Sequence, residues 1–460
     1  MLRHAVYVSL LAVLSVPAFS AGRSVDISPA CNIAKDIGRD ALNLGDVVEL
    51  AMCNNTSTRS AWLSAQIGET GFAKSISSYF PNITATGSVS DSKNYIVKPS
   101  EYDMPHQKGI SGGLNLSWLL FDFGAREAGV VQAYSSMNSA QFKYNSVLQQ
   151  IAYEAISAYY QVLSGIEALA AADMNEQATK KSFELASKKF VLGMNSKADQ
   201  LQAETAFVQA QLDKTKQEQV LKNAKASLAR LLGLPPGLDY SVAESKGDVS
   251  SRVISDNVDD IIRTALKKHP DLLASESDVS AARAALFRSG ASWLPSVSAR
   301  AGVTSGFDDD YETQNKNYSA SINVSMPIFT GFEDTYSYRT AGLQYDQARE
   351  SYRSARQNVE LSVVNAYNDY QTSLKSLSLA HKMYESAIEN EAVASGSYQA
   401  GKGDIIRLME AQSRLIMARK ERISAHYGVS MAKIMLLRAA GELSLQSLNL
   451  PAKGAEAPGK

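Results

Sequence analysis

The stretch FVLGMNSKADQLQAET, Phe190–Thr205, is where an otherwise unbroken helical text turns back on itself, and its reading decides the architecture. From Gly124 to Leu232 the chain reads as one very long helix, a glycine turn at Phe190–Ser196 and a return helix. The same text recurs further on. A shift of 208 carries Phe121 to Phe329, Ala158-Tyr159 to Ala366-Tyr367, Gly193 to Gly401, Ala203 to Ala411 and Gly233 to Gly441. Upstream the shift is 214, matching Asp46-Val47-Val48 to Asp260-Ile261-Ile262 and Pro81 to Pro295. The six-residue difference falls between Pro81 and Phe121, so the first copy has the longer insertion there. Self-similarity over such a period marks a duplicated structural unit.

Proline is absent from His106 through Leu234 and from Ile328 through Leu450, which permits very long helices. Gly124 to Phe190 spans 67 residues, or about 100 Å at a rise of ~1.5 Å per residue. The return arm, 196–232, has only 37 residues, and the helical segment Pro270 to Leu294 has 25. These two, stacked end to end, would match the long helix, as would 404–440 stacked with 46–80 beside 332–398. The apolar stripe Val147, Ile151, Ala155, Ala158, Val162, Ile166 and Leu169 repeats at about 3.7 residues, which favours nearly straight packing. So thin a stripe buries little in a monomer, so the helices need neighbours.

Pro81 ends the first helical segment, 44–80, and the period changes. Ile83, Ala85, Gly87 and Val89 alternate with Thr84, Thr86, Ser88 and Ser90; Leu114, Leu116 and Trp118 alternate with Asn115 and Ser117. The second copy repeats the pattern at Val297–Val303 and Tyr318–Met326. Four strands of about nine or ten residues are expected, the length that crosses a bilayer when tilted. A half-buried sheet in a soluble protein would alternate too. The cluster Tyr79, Phe80, Trp118, Phe121 and Phe123, echoed by Trp293, Phe329 and Phe332, suits an interfacial girdle. Ile83, Val89, Leu116, Val297, Ile322 and Val324 are then the lipid-facing positions. Four strands cannot close a barrel, and an open edge in lipid leaves backbone groups unsatisfied. Three copies would supply twelve strands, an even number within the bacterial range.

A net charge of -1 with 20% charged residues offers no basic field for nucleic acid. Residues 1–20 have the pattern of a secretory signal peptide, with Arg3 and His4 before an apolar run and small residues before the expected cut. Beyond it no apolar run is long enough for a membrane helix. Cys31 and Cys53 would meet an oxidising compartment. A disulfide between them is expected, stabilising by about 3 kcal/mol in the loop-entropy picture; two unpaired thiols are the alternative, and no histidine nearby suggests a metal site. The five histidines stand apart, no HExxH occurs, and GISGGL at Gly109 lacks the Gly-Lys-Ser/Thr of a phosphate loop. An enzyme is not expected, nor any cofactor or metal.

LFDFG at 120–124, PIFTGF at 327–332, FVLGMNSKADQLQAET and YQAGKGDIIRLMEAQSRL at 398–415 resemble, within this repeat layout, the outer membrane efflux protein family of TolC-like channels. The resemblance spans Leu44 to about Leu443. It implies a mainly α fold with membrane β structure: long antiparallel helices forming a trimeric periplasmic α-barrel, and a 12-stranded outer-membrane β-barrel with four strands per chain. The expected organisation is a signal peptide 1–20, an extended leader 21–43, a first repeat 44–233 with its hairpin at 82–121, a connector 234–257, a second repeat 258–443 with its hairpin at 296–329, and a flexible tail 444–460. The resemblance implies a homotrimer that docks a periplasmic adaptor (membrane fusion) protein and an inner-membrane ABC or proton-driven transporter, for type I protein secretion or multidrug efflux. A periplasmic coiled-coil protein without a pore is the alternative. Adaptor docking would fall on the tips, at Val191, Leu192, Gly193, Met194, Ala400, Gly401 and Lys402, with Tyr398 exposed among them. The family's constriction maps to Tyr398, Arg407 and Glu410. Arg407 departs from the acidic pattern and aligns with Asp199 in the 208 register, so an alternating ring of Asp199 and Arg407, with Glu410 supplying the remaining acidity, is expected at the periplasmic gate; solvated charges on helix faces are the alternative.

Overall fold

The computed structural model describes residues 41–93, 95–96, 102–103, 107–243, 257–308 and 313–443. The signal peptide, most of the leader with Cys31, most of the connector and the tail lie outside the described residues. The expected Cys31–Cys53 disulfide therefore has only its Cys53 end among them.

The helices are α1 (Leu44–Asn54), α2 (Thr56–Ile76), α3 (Ala125–Val191), α4 (Lys197–Leu231), α5 (Val258–Lys268), α6 (Pro270–Ala291), α7 (Glu333–Gln399) and α8 (Ile405–Ala439). A shift of 208 carries α3 onto α7, both 67 residues, and α4 onto α8, both 35, end for end. A shift of 214 carries α1 onto α5, both 11 residues. All four long and return helices end alike. Gly193, Gly233, Gly401 and Gly441 each adopt positive φ, and the next residue donates its N–H five residues back, as Met194 does to Lys189. This is the Schellman arrangement, which glycine permits because it has no Cβ to clash.

The first helical segment is not continuous. Asn55 leaves the helical region at ψ 130, and its side chain accepts from the Ser57 N–H to start α2. Asn54 and Asn55 also donate side-chain N–H groups to the carbonyls of Leu232 and Leu231, capping the C-terminus of α4. In the second copy His269 stands at the same break, and Gly441 lies so close that a Cβ there would meet His269 Cα at 2.8 Å. Each return helix therefore abuts the short helix of its own repeat: α4 stacks on α2 and α8 on α6. This corrects the crossed pairing expected from lengths alone, which could not separate two short helices of similar size. The columns then run in the order α2 with α4, α3, α6 with α8, α7.

The main core sits at mid-height. Leu44, Val47, Val48, Leu50 and Ala51 of α1 pack against Ile151, Ala155, Tyr159 and Val162 of α3. Ile261 and Ala265 of α5 repeat the packing on Val359, Val363 and Ala366 of α7. Lower down, Lys214 of α4 reaches Asp173 and Glu176 of α3 at 2.5 and 2.9 Å. Those hydrogen bonds hold the lysine pKa above its ordinary value and both carboxylates below theirs.

Strands β1 (Asn82–Ser92), β4 (Gln107–Phe121), β5 (Ser296–Asp308) and β6 (Thr313–Ser325) form one antiparallel sheet in the order β1-β4-β5-β6. Strands β2 (Tyr95–Ile96) and β3 (Tyr102–Asp103) pair separately within the longer first insertion. The main strands have 11, 15, 13 and 13 residues, longer than the alternation alone suggested. Their outer ends are rich in Gly, Asp, Lys and Asn, which erase the apolar signal while the ladder continues.

Candidate functional site

The strand register sorts the sheet into two chemically distinct faces. Ile83 pairs with Leu116, Leu116 with Ala301 and Ala301 with Ala320, and directly paired residues share a face. Following the pleat, one face carries Ile83, Val89, Ile110, Leu114, Leu116, Val297, Val303, Phe307, Tyr318, Ile322 and Val324. The other carries Thr84, Thr86, Ser88, Asn115, Ser117, Ser298, Arg300, Thr304, Ser321 and Asn323. All six positions expected to face lipid lie on the apolar side. That side is uncovered: Val89 is 82% exposed and Ile322 72%. Among the described residues both faces are free of other elements in the single chain, and an apolar face opposite a Ser/Thr/Asn face is the pattern of a membrane barrel wall.

Between sheet and helices the backbone turns through two consecutive left-handed residues in each copy. They are Phe123 and Gly124 in the first and Gly331 and Phe332 in the second, with the glycine and phenylalanine exchanged. Each left-handed phenylalanine packs edge-on against an earlier phenylalanine of the same junction, Phe123 on Phe121 at 4.7 Å and Phe332 on Phe329 at 5.5 Å. Arg126 pins the first junction. The sheet register slips between Leu119 and Phe121, and Arg126 Nη1 donates to the Leu119 carbonyl at 2.9 Å. Its guanidinium also lies 4.1 Å from the ring centre of Tyr79, whose carbonyl accepts from Trp118 Nε1 at 2.9 Å.

At the far end, about 100 Å along α3 by its 67 residues, the tips are apolar and bare. Val191 is 83% exposed, Leu192 and Met194 are exposed, and so are Ala400 and Lys402 beside Gly401. Tyr398 is different. It is only 2% exposed, packed with Ala186, Ala203, Ile405 and Leu408, which corrects the expectation that it projects at the tip. Its hydroxyl accepts from Asn195 Nδ2 at 3.1 Å, and its carbonyl accepts from Lys189 Nζ at 2.5 Å. Burial first, then Asp199 and Asp404, push the phenol pKa up, so it stays neutral. Asp199 does not meet Arg407 within the chain. It closes a capping box on α4, accepting from the Ser196 N–H at 3.1 Å while Ser196 Oγ accepts from the Asp199 N–H. Arg407 and Glu410 project to solvent from α8. The sequence reading missed Lys189, Asn195 and Arg126; Lys189 and Asn195 owe their roles to Tyr398, 209 and 203 residues away, and Arg126 to a strand irregularity and to Tyr79, neither marked by a local pattern.

An exposed apolar sheet continued by helices of this length defines a membrane-wall element with a long helical extension. The model of the outer membrane efflux protein family matches residues 47–234 and 261–442. Protein CyaE of Bordetella pertussis is 26% identical over 439 residues, covering 94% of this chain and 91% of that protein. Outer membrane protein TolC of Vibrio cholerae is 22% identical over 422 residues, covering 89% and 92%. The crystal structure of the Campylobacter jejuni CmeC outer membrane channel superposes with a TM-score of 0.77 at 19% identity, covering 87% of this chain and 85% of that one. The chain belongs to the outer membrane efflux protein family. It is a protein of the outer membrane reaching into the periplasm, and the family is one of channels, not enzymes.

Proposed function

We propose that three copies of this chain form the exit duct of a tripartite export system, closing a twelve-stranded barrel above a tunnel of twelve helical columns. One observation carries the reading: the exposed apolar face belongs to a sheet whose two edges, β1 and β6, have no strand partner among the described residues. Such edges in lipid demand partners. The helices are incomplete in the same sense. Columns flank α3 on both sides, but α7 has the α6 and α8 column on one side only. Leu379 of α7 is 66% exposed where its counterpart in the 208 register, Ala171, is buried. The α2 and α4 column of another copy fits that vacant flank.

In this assembly the bare tips at Val191, Leu192, Met194, Ala400 and Lys402 receive a periplasmic adaptor, itself bound to an inner-membrane ABC or proton-driven transporter. The cargo passes as in type I protein secretion or as small molecules in multidrug efflux. Arg407 and Glu410 line the approach to the gate, with Asp199 holding the start of α4. The test is extraction from the outer-membrane fraction followed by mass measurement. A detergent-resistant trimer is expected; a monomer or dimer would overturn the duct.

A further inference from the structure

We propose that the cavity between the upper ends of α3, α6 and α7 is a binding groove for a phospholipid acyl chain, seated at the foot of the sheet. This rests on the sheet lying in the bilayer. The cavity measures about 530 Å³ and is lined by Gly124, Ala128, Phe287, Gly290, Leu294 and Tyr338, among others. That size falls within the range of ordinary ligand pockets. No charged side chain lines it. Phe287 is 66% exposed at its mouth, and Leu294 is exposed beside it.

Two observations point to the occupant. The first is continuity: Gly124 and Leu294 belong to the short turns joining the helices to β4 and β5, so the groove prolongs the apolar face of the sheet below its last strand residues. Trp293, at the same level, lies 5.7 Å from Tyr338, ring centre to ring centre, placing an interfacial aromatic at the groove. The second is the internal duplication. The groove is open because Gly124, Ala128 and Gly290 are small. Their counterparts in the other copy, by the 208 and 214 registers, are Phe332, Tyr336 and Ile76. The duplicated position thus carries bulkier side chains at all three places, while this one is left hollow. An apolar cavity open to solvent would leave Phe287 and Leu294 in water; a hydrocarbon tail from the adjoining leaflet covers them, which is favourable because apolar surface leaves water.

The full-length protein, with p-benzoylphenylalanine replacing Phe287, is reconstituted into vesicles of phosphatidylethanolamine and phosphatidylglycerol and irradiated. A parallel sample has the same photoreactive residue at Trp118, on the sheet's apolar face. Phospholipid adducts are expected at both positions. Filling the groove with Gly290→Leu, or with Ala128→Leu should the first variant not assemble, is expected to lower the adduct at 287 by about fivefold or more, since the leucine takes the space the tail would occupy. The adduct at 118 stays unchanged. Labelling at 118 but not at 287, or a 287 adduct made only to protein, or one indifferent to both filling variants, would overturn the groove. No lipid adduct at either position overturns the membrane placement itself, and the groove with it.

Discussion

Lys189 and Tyr398, the last turns of two different long helices, are joined twice: the ammonium donates to the tyrosine carbonyl at 2.5 Å and lies 4.1 Å from the centre of its ring. A buried ammonium is costly unless its donors are engaged, and here a carbonyl and a π face engage them. A cation over an aromatic ring contributes about 0.5–2 kcal/mol depending on desolvation. The pair therefore holds the α3 tip against the α7 tip within each chain. In the proposed trimer, Lys189→Gln is expected to raise the conductance measured in planar bilayers. Arg407→Ser, at a solvent-exposed side chain, is expected to change it less. Intact Lys189→Gln trimers with unaltered conductance would remove this pair from the gate.

The two faces of the sheet give opposite responses to charge. A cation on a barrel's lipid face costs about 2–4 kcal/mol near the bilayer midplane. Ala320→Arg, at mid-strand on the apolar face, is expected to cut the yield of folded protein in outer-membrane fractions, whereas Ser319→Arg, one residue along and on the polar face, leaves it near normal. Equal yields from the two would reverse the facing assignment.

Glycines of like conformation differ in what surrounds them. Gly193 has φ +74 with open space where a Cβ would go, and Gly441 has φ +69 with His269 backbone 2.8–2.9 Å away. Alanine at either position meets the left-handed penalty of about 1–2 kcal/mol. At Gly441 it must also push α8 from the α5–α6 junction, adding about 1–3 kcal/mol. Thermal dissociation of the trimer is expected to fall further for Gly441→Ala than for Gly193→Ala, and the opposite ranking would refute the contact.

His269 ties stability to pH. Its Nδ1 accepts from the Asp271 N–H at 3.3 Å to begin α6, which requires the neutral ring. Burial, with Arg438 in support and Asp271 opposing, holds its pKa below the ordinary 6.5. A base whose folded pKa is depressed gives its full contribution above 6.5 and loses it as pH falls through that value towards the folded pKa, because the unfolded chain binds the proton more readily. Thermal stability is expected to decline from about pH 7 towards pH 5 by this route. His269→Gln should flatten that part of the profile, and an unaltered slope would assign the decline to other groups.

Much of the fold was legible because duplication prints the same boundaries twice. The helices 125–191 and 333–399 begin and end in strict register, and the glycines that stop them stand in the text. The facing of the strands was legible too, since alternation is local. The break at Asn55 was harder to see. His269 announces its own break with Pro270 at the first helical position, but Asn55 has only an Asn-Asn-Thr run whose capping role depends on the carbonyls of Leu231 and Leu232. Tyr398 was misplaced for a similar reason. Its position by a turn suggests exposure, while its burial depends on Lys189, Asn195 and Leu408, brought together only by folding.

The exact match in length between α3 and α7 also limits how such a protein can evolve. One residue deleted from α3 alone would shorten that column by about 1.5 Å and rotate everything below by about 100°. Lys189 would then turn away from Tyr398, and Val191 would no longer sit level with Gln399. A change of reach across the periplasm therefore has to be made in both long helices and both return helices together, and in whole turns. Growth or shrinkage of the helical extension by single-residue drift is closed to it, and the duplicated lengths of 67 and 35 residues act as a shared ruler.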